Sequence, residues 1–114
     1  MLTIYHNPRC SKSRETLKLI EEAGSTVEVV EYLKTPPSRE TLVALIDKLG
    51  IKPELLIRKS EKIYKEEYKG QSLTDEQWID AMVKHPVLIE RPIVVDSKKA
   101  VIGRPPQNVI DLIS

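Results

Sequence analysis

Cys10 is the single cysteine of the chain, and it stands where a sulfur can react. It follows a short β-branched run, Leu2 to Tyr5, and the break at His6-Asn7-Pro8, and it precedes a predicted helix over residues 11–23. A side chain in that place meets the unpaired N–H groups and the positive end of the helix dipole, both of which favour an anion. They lower a thiol's pKa and make a pocket for a phosphate-like oxyanion. Arg9 and Lys12 flank the sulfur in sequence, Arg14 lies one turn along, and His6 sits four residues back. Ser13, at the third helical position, has an N–H and a hydroxyl that can donate to the sulfur, and it joins the candidate binding residues. The spacing Cys10-Ser11-Lys12-Ser13 is a C-x-x-S pattern. Serine cannot resolve an adduct on the cysteine, so a second thiol has to come from another molecule.

The elements that must hold this loop can be read from periodicity and breakers. Leu17, Ile20 and Ala23 fall at helical spacing on one predicted buried face, with Gly24 as the residue after the helix. Val27 to Leu33 reads as a second strand. After Thr35-Pro36-Pro37, Ser38 starts a helix that ends at Gly50, with Leu42, Leu45, Ile46 and Leu49 as its apolar stripe. Residues 53–68 carry apolar side chains at helical intervals. Thr74 and Gln77 form a capping-box pair ahead of a helix that His85-Pro86 stops. The period then changes to that of strands, 91–96 and 100–103, joined by a polar turn, and a terminal helix follows Arg104-Pro105-Pro106. This order predicts an α/β fold: a four-stranded mixed sheet made of a βαβ half and a ββα half, with a helical insertion over about residues 38–85. The 114 residues suit one domain.

Composition narrows the class of function. With 40% hydrophobic and 31% charged residues the chain is ordinary for a globular protein, and its net charge of +1 offers no basic excess for nucleic acid. No apolar run is long enough to cross a bilayer, and the amino terminus lacks the form of a signal peptide, which points to the cytoplasm.

Several segments taken together carry a resemblance. They are Ile4-Tyr5-His6-Asn7-Pro8-x-Cys10-x-x-Ser13-Arg14, Tyr32-Leu33-x-Thr35-Pro36-Pro37, Leu56-Ile57-Arg58-Lys59, His85-Pro86-x-Leu88-Ile89-x-Arg91-Pro92-Ile93-Val94-Val95 and Gly103-Arg104-Pro105. In this order and spacing the chain resembles the arsenate reductases of the glutaredoxin-coupled type, over essentially its whole length. The resemblance implies a thioredoxin/glutaredoxin-like fold and a reaction in which Cys10 attacks arsenate to form a covalent thiol–arsenate adduct. Glutathione, a co-substrate, then attacks the adduct, glutaredoxin removes the glutathione, and arsenite leaves. It further implies that Arg58, Arg91 and Arg104 hold the oxyanion, that His6 lowers the nucleophile's pKa through a nearby charge or hydrogen bond, and that Pro92 follows a cis peptide bond. No metal and no bound cofactor are expected. The phosphatase-like class of arsenate reductase is excluded, because it needs arginine six residues after the cysteine, where Thr16 stands, and further cysteines. Two alternatives from the same fold are a monothiol glutathione-dependent oxidoreductase and a non-catalytic regulator that binds RNA polymerase.

Overall fold

The computed structural model describes residues 2–113. Strand β1 (Leu2–His6) alternates between fully and partly buried side chains, the period of two expected of a pleated strand. It pairs in parallel with β2 (Val27–Glu31), Leu2 opposite Val27 and His6 opposite Glu31. Parallel neighbours need a crossover, and helix α1 (Ser11–Glu22) supplies it. On its other side β1 pairs antiparallel with β3 (Ile93–Val95), which forms a hairpin with β4 (Ala100–Ile102), so the sheet order is β2-β1-β3-β4. Asp96 closes the hairpin by accepting the Lys98 and Lys99 N–H groups on its carboxylate. This is the mixed four-stranded sheet that the sequence predicts.

Leu2, Ile4, Ile20, Val94 and Val109 form the buried centre of this part, with Leu17, Val27, Val101 and Leu112 packed around it. Burial on α1 differs in detail from expectation. Ser13, Thr16 and Ile20 are buried, whereas Ala23 is exposed as the C-cap. The buried stripe therefore turns polar toward the helix's amino end, the end that carries Cys10. Gly24, at φ 76°, takes the left-handed conformation that ends the helix.

β2 stops at Glu31, two residues before the predicted end, because Lys34 and Thr35 fold back to donate to the Glu31 carbonyl. As an edge strand it is only partly buried.

Pro36–Glu90 forms a second compact unit, distinct from the one made by the described residues through Thr35 and from Arg91 onward. Helix α2 (Arg39–Leu49) begins at Ser38, whose hydroxyl accepts the Thr41 N–H, and ends at Gly50 in the left-handed region. Helix α3 (Asp75–Lys84) starts with the full capping box between Thr74 and Gln77. Trp78, Ile79, Ala81 and Met82 are its buried face, and α3 packs on α2. The helical intervals over residues 53–68 do not form one helix. Pro53–Leu56 is a 3-10 turn, Ile57 bridges to Ile89, and Tyr64–Tyr68 is a π-helical turn stacked on Trp78. The predicted terminal helix is a 3-10 turn, Pro106–Val109, running into the short α4 (Ile110–Ile113). Among the described residues no helix is long and apolar enough to cross a membrane.

Candidate active site

The loop from β1 to α1 is built around Asn7. Its backbone carbonyl accepts the Cys10 N–H at 3.0 Å, and its side-chain oxygen accepts the Arg9 N–H at 3.0 Å. An asparagine that bonds its own backbone two residues on is a turn former in its own right. Pro8 adds a fixed φ and no donor. Cys10 is thereby delivered as the N-cap of α1 in extended conformation, and its carbonyl accepts the first helical bond, from Arg14 N–H at 3.0 Å. Its thiol makes no capping bond to the helix as an acceptor side chain of serine would. Instead the half-buried sulfur collects donors.

Those donors come from two directions. From the helix, the Ser13 and Lys12 N–H groups favour the charged sulfur without closing a capping bond to it. From the β3–β4 side of the sheet, Arg104 Nη2 lies 3.2 Å from Cys10 Sγ, and the Arg91 guanidinium also hydrogen-bonds it. Burial pushes the thiol's pKa up, but the Ser13 N–H, the Arg104 charge, the Arg91 bond and the Lys12 N–H together outweigh it, and the pKa lies below the ordinary thiol value. Arg104 is itself oriented, since its Nε donates to the Arg91 carbonyl at 2.7 Å. Arg91 is almost wholly buried, at 7% exposure. The Arg91–Pro92 peptide is cis, and so is Arg104–Pro105, so each of these arginines immediately precedes a cis bond.

The structure corrects three expectations about this loop. His6 does not act on the sulfur as a cation. It is buried at the end of β1, and its Nδ1 lies 2.7 Å from Ser13 Oγ. Burial, aided by the charge of Arg14, holds its pKa below the usual imidazole value against the opposing pull of Glu31 and Glu21. The charged ring is thus disfavoured, and the contact the ring makes is with Ser13. Ser13 in turn serves the sulfur through its N–H alone. Its hydroxyl is occupied by His6 and by the Asn7 N–H at 3.1 Å. The bases nearest in sequence are also elsewhere. Lys12 is exposed and pairs with Glu15, and Arg14 Nη1 donates to the Pro8 carbonyl at 3.0 Å. Side chains just past an N-cap splay outward around the helix, so sequence neighbours of the sulfur are not its spatial neighbours.

Of the three arginines implied by the resemblance, the structure gathers Arg91 and Arg104 at Cys10. Arg58 belongs to the helical unit, where Nε donates to Glu61 at 3.1 Å and Nη1 to Glu90 at 3.0 Å. Burial works against its charge, but the bonds to Glu90 and Glu61 prevail and raise its pKa. Two residues of the site escaped sequence reasoning, Asn7 and the fully buried Thr16, whose hydroxyl donates to the Lys12 carbonyl at 2.8 Å and lies 3.3 Å from that of Gly103. The Asn-Pro pair was a usable signal for the first, whereas Thr16 had none beyond its helical phase.

A half-buried sulfur with depressed pKa, facing two guanidinium groups and a helix amino end, can attack an electrophilic centre that carries oxyanions. Known proteins match this chain over nearly its whole length. The family model described as the ArsC family matches residues 5–112. The chain is 52% identical over 112 residues to the uncharacterized protein YfgD of Escherichia coli (strain K12), covering 96% of this chain and 94% of that one. It is 44% identical over 113 residues to an arsenate reductase of Acidiphilium multivorum, covering 98% and 80% of the two chains. The solved structure of an arsenate reductase from Vibrio cholerae superposes with a TM-score of 0.92 at 48% identity, covering 96% of this chain and 95% of that one. On sequence, and on a thioredoxin-like sheet shared from end to end, the chain belongs to the ArsC family.

Proposed function

We propose that the protein reduces arsenate to arsenite through a covalent adduct on Cys10, with glutathione and glutaredoxin supplying the reducing thiols. The observation that carries this reading is the sulfur's company: a depressed thiol pKa with Arg104 at 3.2 Å and Arg91 bonded to the same atom. Guanidinium forks match the edges of a tetrahedral oxyanion and keep their charge at any working pH. The thiolate attacks arsenic(V), an arsenate oxygen leaves as water after protonation, and Arg91, Arg104 and the Ser13 N–H bind the remaining oxygens. Two thiols then supply the two electrons that turn arsenic(V) into arsenic(III), ending as a disulfide while arsenite departs. Cys10 is one of these thiols and the chain has no other, so glutathione is the second, and glutaredoxin restores Cys10. Dependence on glutathione places the working protein in the reducing cytoplasm. Arg58, the third arginine that the resemblance implies, is held by Glu61 and Glu90 within its own unit. His6 holds Ser13, and through it the loop.

The test is one coupled assay containing arsenate, glutathione and glutaredoxin, run on the wild type and on Cys10→Ser, beside a glutathionylated-peptide substrate. Turnover that needs all three components and vanishes in the folded variant is expected. Reduction of the mixed disulfide without arsenate turnover would replace this reading with that of a monothiol oxidoreductase.

A further inference from the structure

Arg104 reaches Cys10 from a segment nearly at the other end of the chain, and something has to set that reach. Its guanidinium is steered by the Arg91 carbonyl, but the placing of its backbone depends on the residue before it. Gly103 is wedged. A Cβ added to it would lie 2.6 Å from Thr16 Oγ1 and 2.8 Å from Pro92 Cγ, both closer than real side-chain carbons approach, and 3.0 Å from Thr16 Cγ2, a tight contact. Its φ is not in the left-handed region, so the demand for glycine here is one of space alone. Its N–H donates to the Pro92 carbonyl at 2.9 Å, and its carbonyl lies 3.3 Å from the Thr16 hydroxyl. The glycine is thus seated between the Pro92 ring and one side chain of α1.

Thr16 belongs to the same rigid helix that Cys10 caps. It is wholly buried, and its hydroxyl is tied to the Lys12 carbonyl one turn nearer the sulfur. Sulfur and seat therefore move as one body, and the contact at Gly103 fixes where Arg104 leaves the chain relative to the sulfur. We propose that Thr16 and Gly103 are positioning residues that set the distance between the Arg104 guanidinium and the Cys10 sulfur. Neither touches the sulfur. The proposal rests on the reading of Cys10 as the nucleophile and Arg104 as its cation, and it names what holds that pair in register.

Gly103→Ala pushes the segment off α1 and draws Arg104 back. A retreat of about 1–2 Å lowers the thiolate fraction, at a pH below its midpoint, by roughly threefold. The experiment titrates the thiolate by its ultraviolet absorbance in Gly103→Ala, alone and combined with Arg104→Ala, with circular dichroism to confirm folding. A residue that acts through Arg104 has no effect once Arg104 is gone, so the double variant should titrate like Arg104→Ala alone. Should Gly103→Ala not fold, Thr16→Val is read in the same two backgrounds. That variant removes the hydroxyl facing the Gly103 carbonyl, and Thr16→Ser is expected to titrate as the wild type. An unchanged midpoint in the folded single variants overturns the proposal, and so does a shift that persists undiminished without Arg104. This titration needs no arsenate, so its failure is distinguishable from a failure of arsenate turnover in the wild type.

Discussion

Replacing Arg104 by alanine tests the electrostatics of the site directly. The guanidinium nitrogen lies 3.2 Å from the sulfur. At that separation a pair of unit charges is worth about 1.3 kcal/mol with water-like screening and about 5 kcal/mol at the effective dielectric of a protein surface. The sulfur is half-buried, and Arg91 with two N–H groups remains after the substitution, so the lower part of that range applies. A loss of about 1.4 kcal/mol cuts the thiolate fraction below the midpoint about tenfold. A less stabilised thiolate is also a better nucleophile, and with a Brønsted slope near one half its intrinsic reactivity rises about threefold. Alkylation by iodoacetamide across pH reads both effects. The variant should react about threefold more slowly than wild type at low pH and about threefold faster at high pH, with the two profiles crossing between. Parallel profiles that never cross would refute the argument, because they would mean that Arg104 governs access to the sulfur and leaves its ionisation alone.

Three further predictions follow from other contacts. His6 has a pKa below its unfolded value of 6.5, so the unfolded chain takes up its proton first. Stability is therefore complete above that pH and declines as the pH falls from 6.5 toward the folded value, and His6→Gln should flatten this decline in urea titrations at a series of pH values. Thr74→Ala removes the hydroxyl that accepts the Gln77 N–H in the α3 capping box, leaving the bond from the residue 74 N–H to the Gln77 side chain, and should cost about 1 kcal/mol, read as a lower urea midpoint with an unchanged slope. Glu90→Gln frees Arg58 of one of its two carboxylates, and if Arg58 joins in oxyanion capture the KM for arsenate should fall about two- to fivefold, the scale of a partly exposed ion pair. An unchanged KM would take Arg58 out of the binding set.

How much of this was legible in advance depends on the range over which each feature is encoded. The four strands and the helices α1, α2 and α3 were readable because their signals are local: the Ser38 cap, the Thr74–Gln77 box, Gly24 and Gly50 at helix ends, and the β-branched run at 93–95. Residues 53–68 misled because apolar side chains at helical intervals serve equally well in a 3-10 turn, a bridge and a π-helical turn, each anchored by contacts distant in sequence, such as Ile57 with Ile89. The same division runs through the site. Cys10 as a helix cap is a local fact and was visible. Which cations face it is not local, and spacing alone would have chosen Arg9, Lys12 and Arg14. Only the family resemblance singled out Arg91 and Arg104. The lowered pKa of His6 was beyond the sequence because it follows from burial and from the charge of Arg14, and its bond to the Ser13 hydroxyl is set by the folded loop.

The choice of distant arginines over neighbouring bases also bears on reactivity. A thiolate held by strong donors is normally a dulled nucleophile, and a site that only lowered the pKa would lose in attack part of what it gained in ionisation. Here the donors have a second task. In the proposed reaction the sulfur gives up its negative charge as it bonds to arsenic, and charge gathers on the arsenate oxygens a bond length away. Arg104 and Arg91, which bond the sulfur in the free protein, and the Ser13 N–H would then be in place to serve those oxygens. Stabilisation follows the charge from sulfur to oxygen with little rearrangement, so it is largely retained in the transition state. A cation on the flexible stem of Lys12 could lower the pKa, but it is paired with Glu15 and is not held in place by a neighbouring carbonyl as Arg104 is by that of Arg91. The arrangement therefore uses cations held where the chain enters β3 and leaves β4, beside the strand that leads into Cys10, and not the flexible bases next to the sulfur in sequence.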